Sequence, residues 1–267
     1  MLSRLLKYEM RGLWKSLFPM FIVILGVSIL VGIAGRAVYI CDLNSYNGIV
    51  IGLLSGFTAL GILGIYGVVV ASAIIIYYRF YKSVATDEAY LTFTLPVSIK
   101  AHLFARVISA FVFDFLLSAV LIVSLMLGSL IACGNITMVF DFIIDFADIF
   151  DILKGRWLLY GSEIFVFGLI ASFATISETY FAIVIGSMIA KKKKGGAAIL
   201  FILLVEFVIS LIYEFSAIII VFNMFATSFT EAKLQFVIWF YIVLTAGLGT
   251  LAFFLSENML KKRLNLE

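Results

Sequence analysis

Six long apolar runs dominate this sequence, at residues 17–35, 49–77, 107–132, 158–190, 197–222 and 236–256. About 20 apolar residues are enough for a helix to cross the roughly 30 Å hydrocarbon core of a bilayer. A soluble fold of 267 residues, 64% of them apolar and only 13% charged, could not hide so much, because a dispersed protein must carry charge on its outside. Disorder and a disulfide-rich secreted scaffold are excluded on the same ground. Open sheet fails because lipid offers the backbone no hydrogen-bond partner, and the runs lack the alternation of a barrel. The chain therefore reads as an all-α polytopic membrane protein, one domain of six transmembrane helices over residues 1–267. The second and fourth runs exceed one crossing, so they tilt or project into water.

Orientation follows from the cations. The nineteen Lys and Arg divide fifteen to four between the two sides, with only Arg36, Lys154, Arg156 and Lys233 on the poorer one. The positive-inside rule then puts both termini in the cytoplasm. The apolar core beginning at Leu17 is too long for a typical signal peptide, so the first run reads as a retained span. A net charge of +3 is too small to suggest nucleic acid; membrane lipid is the expected surroundings. Cys41 and Cys133 fall just beyond the outer ends of spans one and three. A disulfide is chemically allowed there, but nothing in the sequence brings the two together, and they read as unrelated membrane-edge cysteines.

Three segments lie outside the spans. In residues 1–15, Arg4, Lys7, Arg11 and Lys15 share one helical face while Leu2, Leu5, Leu6, Met10 and Leu13 take the opposite one, which predicts an interfacial helix. Glu9 at the edge of the apolar face is out of place against pure lipid; pairing with another element of the protein and snorkelling to the interface are equally open readings. Residues 79–106 form the longest cytoplasmic connection. Thr86 or Ser83 can cap a short helix whose first turn holds Asp87 and Glu88, Pro96 stops it, and Ser98 can cap the helix entering span three. Residues 133–157 place Asp141, Asp145, Asp148 and Asp151 on one face and many apolar residues on the rest, which predicts an outer interfacial helix with a solvated acidic stripe.

Catalytic chemistry is hard to build from this chain. His102 is its only histidine and, near a helix start, reads as a surface residue. There is no zinc-ligand set, no nucleophile elbow and no phosphate loop, so the chain is expected to be no enzyme, with no catalytic residue, no metal and no cofactor of its own. Acid inside the spans is the exception: Asp114, Glu163, Glu178, Glu206 and Glu214, with no Lys or Arg well inside any span. Asp114 and Glu163 lie near enough to span ends to be partly hydrated; an ionised group at the bilayer centre costs about 2.5–3.5 kcal/mol, so Glu178, Glu206 and Glu214 must be protonated, face the bundle interior or line a wet cavity. Glu206, Ser210, Tyr213 and Glu214 follow i, i+4, i+7, i+8 and make one polar stripe in span five. Ala171, Thr175 and Glu178 make a weaker one in span four. The five residues Glu178, Glu206, Ser210, Tyr213 and Glu214 are the candidate translocation path. The competing reading is hydrogen-bond glue between spans, worth about 0.6 kcal/mol each. Gly52, Gly56, Gly61, Gly64 and Gly67 in span two read as helix-packing positions.

The run Asp87-Glu88-Ala89-Tyr90-Leu91-Thr92-Phe93-Thr94-Leu95-Pro96-Val97-Ser98, with Arg106 ahead of span three, resembles a signature of bacterial ABC export permeases of the second membrane-subunit type. Ala89 stands where glycine is usual and Arg106 where lysine is usual. The opening Lys7-Tyr8-Glu9 is similar too, as is the layout of N-terminal helix, six spans and a coupling helix after the second. The resemblance implies a permease in a bacterial plasma membrane, working as a dimer with a second or related permease. Asp87, Glu88, Tyr90, Leu91, Phe93, Leu95 and Pro96 would dock a separate cytoplasmic ABC ATPase, which would bind the ATP and Mg. It implies outward movement of an antimicrobial or amphipathic peptide, a drug or a lipid, and the span acids lean toward a cationic or amphipathic one. The alternatives are a self-sufficient proton- or ion-coupled carrier using the span carboxylates, against which the lack of a visible three-span repeat counts, and a non-transporting sensor subunit.

Overall fold

A computed structural model describes residues 2–43, 48–86, 98–134, 157–190, 194–225 and 231–264. The expected ATPase-coupling residues Asp87, Glu88, Tyr90, Leu91, Phe93, Leu95 and Pro96, the aspartates of the outer segment, and Lys191 to Lys193 lie outside the described residues. The described chain is all helix apart from a few end residues: α1 (Leu2–Leu43), α2 (Gly48–Ala85), α3 (Ile99–Cys133), α4 (Trp157–Ile189), α5 (Lys194–Phe225) and α6 (Glu231–Leu264). All six are long and apolar enough to cross a membrane. The protein is an all-α multi-pass membrane protein.

The helices outrun the apolar runs that predict them. At 1.5 Å per residue the 42 residues of α1 extend about 63 Å, twice what hydrocarbon requires. The amphipathic stretch at residues 1–15 is helical as expected, with Arg4, Lys7, Arg11 and Lys15 all exposed, but it continues into the first span as one element. Pro19 lies inside that helix; its missing N–H removes one backbone bond, which leaves the surrounding helix unbroken. At the far end of residues 79–106, Ser98 caps α3 as expected: its Oγ accepts from the N–H of Ala101 at 3.4 Å, and its carbonyl accepts from the N–H of Ala101 at 3.0 Å and of His102 at 3.2 Å. Thr86 and Ser83 bond backward into α2, to the carbonyls of Lys82 and Phe80; the short helix expected after them lies outside the described residues.

The chain packs as two compact units, Met1–Glu9 with Ile76–Phe111 and Gly161–Glu267, and Met10–Ile75 with Val112–Tyr160. In the second unit α1 and α3 approach at Gly32 and Gly128, where a Cβ on Gly32 would meet the Gly128 carbonyl oxygen at 2.6 Å. Trp14 stacks on Phe18 and tilts against buried Phe113. Gly134 ends α3 at φ +73°, donating its N–H to the Leu130 carbonyl at 3.0 Å, a glycine helix end that L side chains adopt reluctantly. Among the described residues the packing role expected of the span-two glycines is seen at Gly61, which faces Val31, whereas Gly52, Gly56, Gly64 and Gly67 have no described neighbour within 4 Å. The sequence pattern shows that glycines recur along α2, but it does not show which face has a neighbour. Cys41 and Cys133 are both free.

The first unit gathers α4, α5 and α6 together with the ends of α1, α2 and α3. Two close backbone approaches set its spacing. A Cβ on Gly249 of α6 would lie 2.6 Å from the Ala174 Cα of α4, and one on Gly186 of α4 would lie 2.7 Å from the Ala198 Cα of α5. Tyr180 of α4 is buried face to face on Phe80 of α2, ring centroids 3.7 Å apart, and edge-on to Tyr77.

Candidate functional site

Where α4, α5 and α6 meet, the helices leave a recess of about 280 Å³. Its polar wall is Thr175 and Glu178 from α4, Glu206, Ser210 and Tyr213 from α5, and Thr245 from α6. The approach of Gly249 to Ala174 brings α6 against α4 beside it, since Ala174 is itself part of the wall. The span-five stripe and the weaker span-four stripe therefore face each other, and the structure brings together Glu178, Glu206, Ser210 and Tyr213 from the expected path. Glu214 is not among them. It is exposed, because eight residues at about 100° each carry it roughly 80° around α5 from Glu206, whereas Tyr213 returns to within about 20°.

Within the recess Glu178 is buried, 5% exposed, and its Oε1 has no hydrogen-bond partner among the described residues. Glu206 lies within electrostatic reach of it and beside the Thr179 hydroxyl. The Tyr213 hydroxyl and Thr245 Oγ1 share a hydrogen bond of 2.9 Å, and Tyr213 stacks on Tyr241. Thr245 and Thr179 were not singled out from the sequence. Thr245 did leave a signal, as a hydroxyl four residues after Tyr241 and next to the small residues Ala246, Gly247 and Gly249.

The other span acids do different work. Glu163 accepts at Oε1 from Gln235 Nε2 at 3.2 Å and from Trp239 Nε1 at 3.1 Å, so it joins α4 to α6 as the glue reading has it. Asp114 is half-buried and does not line the recess.

A second polar cluster answers the question that Glu9 raised. Its Oε2 accepts from Arg79 Nε at 3.3 Å and its Oε1 from Arg106 Nε at 3.4 Å. One carboxylate of α1 thus binds the end of α2 and the start of α3, on either side of residues 87–97. His102, expected at the surface, is 3% exposed, and its Nε2 has no hydrogen-bond partner among the described residues. The reason is that α3 is packed nearly all round there: Leu103, Ala105, Arg106 and Val107 are buried as well. The chain matches no protein-family model, no curated protein and no solved structure.

Proposed function

We propose that the chain is the permease subunit of an ATP-driven exporter of a bacterial plasma membrane, with both termini cytoplasmic. It works with a second permease copy or a related permease and with a separate ABC ATPase that supplies ATP and Mg. The observation that carries the reading is the Asp87–Ser98 motif together with the ion pairs that flank it. Glu9 joins Arg79 and Arg106, so a load on the intervening segment reaches three helices through one carboxylate. An ATPase that moves Asp87, Glu88, Tyr90, Leu91, Phe93, Leu95 and Pro96 then has a mechanical hold on the permease. The substrate passes along Glu178, Glu206, Ser210 and Tyr213, and an amphipathic or cationic peptide, drug or lipid suits their charge.

The test is co-purification. Glu88→Lys with Leu91→Asp is expected to abolish co-purification of a co-expressed ABC ATPase subunit while the permease still elutes as a folded species. Full retention of the ATPase overturns the docking role.

One observation favours a second reading. Two carboxyl groups sharing a recess inside the spans also suit a carrier that moves substrate against protons or another ion. Purified chain in liposomes, without any ATPase, decides between them: uptake driven by an imposed proton gradient supports the carrier, and its absence supports the exporter.

A further inference from the structure

Two hollows of the first unit meet at one residue. The polar recess and an apolar hollow of about 360 Å³ both have Glu178 and Ile209 in their walls. The apolar one is walled by Phe201, Leu204, Val208, Leu251 and Leu255 of α5 and α6, and Glu178 is the one charged residue in its lining. Among the described residues no Lys or Arg lines either hollow. Glu178 therefore sits at the junction, buried, with a carboxyl oxygen that no described group satisfies.

The hydroxyls around the recess narrow what can enter. Thr175 donates its hydrogen to the Ala171 carbonyl at 2.9 Å, and Ser210 to the Phe207 carbonyl at 2.8 Å. Thr179, beside Glu206, donates to the Thr175 carbonyl at 2.8 Å. A hydroxyl that has given its one hydrogen to its own helix offers an incoming group only lone pairs. Tyr213 and Thr245 use one hydrogen on each other. With two carboxyl groups added, the recess is rich in acceptors and poor in donors. An anion entering it would meet acceptors and like charge. An ammonium or guanidinium would find several acceptors and would itself supply the counter-charge that lets a buried carboxyl ionise.

The neighbouring hollow selects the other end of the ligand. Its wall offers hydrocarbon and aromatic carbon with Glu178 as the only charge, so it suits an alkyl or aryl tail. Each hollow is near the low end of the roughly 300–1,000 Å³ of small-molecule sites. That is room for a single-headed amphipath and too little for a peptide of many residues.

We propose that the two hollows are one binding site for a small amphipathic organic cation, its amine or guanidinium held between Glu178 and Glu206 and its tail lying along α5 and α6. This deepens the export reading by naming the substrate class of its path, and it is tested without the ATPase, so failure of ATPase docking leaves it readable.

The experiment is equilibrium binding of tritiated decylamine to the full chain in lipid nanodiscs, with empty discs subtracting partition into lipid. Saturable binding of about one molecule per chain is expected, weakened about tenfold or more by Glu178→Gln and by Glu206→Gln. Unlabelled decylamine should compete, whereas decanol and ethylamine at the same concentration should not. Val208→Trp fills the apolar hollow from a position already 54% exposed; it should weaken decylamine too, and it keeps the test open if a glutamine variant does not fold. Binding no greater than in empty discs overturns the proposal, as does equal binding in wild type and all three variants. Competition by ethylamine or sodium as strong as by decylamine also overturns it, because the site would then take a bare cation and use no tail.

Discussion

Glu9 is one carboxylate serving two guanidiniums of unequal burial, and that inequality determines what each substitution does. Arg106 is 6% exposed and Arg79 38%. Removing the carboxylate strands a buried cation, and breaking a buried pair costs about 3–5 kcal/mol. Glu9 keeps 21% exposure, so water offsets part of that and the low end applies. Arg79→Ala leaves Glu9 its buried partner and removes an exposed one, for which about 0–1 kcal/mol is usual. Unfolding in mixed micelles should therefore rank Glu9→Ala far below Arg79→Ala, which should stay near wild type. Equal losses would mean that Arg106 has another source of compensation. The importance of Glu9 was legible in the sequence because an acid at the edge of an apolar face needs a reason. Its partners were not legible, since they lie 70 and 97 positions away and periodicity carries no information across loops.

Among the helices, spacing is set by a few glycines, and the pattern alone does not say which. The six spans could be read directly because 20 apolar residues have few alternatives in water or lipid. Their ends could not, because polar flanks such as residues 1–15 continue a helix as readily as they start a new one. The recess was half legible. The 3.6-residue period correctly put Glu206, Ser210 and Tyr213 on one face, then overreached by a fraction of a turn at Glu214, while Thr245 in α6 carries no charge to draw notice to it. The glycine contacts give a sharper separation. Gly249→Ala forces a methyl against the Ala174 backbone, which cannot yield as a flexible side chain would, so a loss of about 1–3 kcal/mol is expected. It should also move α6 off α4 and weaken decylamine binding at the recess. Gly52→Ala meets nothing within 4 Å and improves helix propensity by up to about 1 kcal/mol, so it should be neutral or stabilising. Thermal unfolding and decylamine binding on both variants check this. A destabilised Gly52→Ala would mean that this face is covered by something other than this chain.

For the whole molecule, the decisive quantity is which side of the membrane carries the cations, because an ATPase can reach residues 87–98 only from the side where ATP is. The fifteen-to-four division of Lys and Arg sets that expectation, and the two free cysteines provide a way to measure it. Cys133 is exposed at the end of α3, on the cation-poor side of the expected topology. Lys262, near the end of α6, is exposed as well and belongs to the cation-rich side. In a Cys41→Ser background, Cys133 should react with a membrane-impermeant maleimide added to intact cells. Lys262→Cys in a chain carrying Cys41→Ser and Cys133→Ser should react only once the membrane is opened. The reverse pattern would put residues 87–98 outside and remove the ATPase from the account altogether. The proposed binding at the recess would then stand without the ATPase, and the ion-coupled carrier would become the favoured reading.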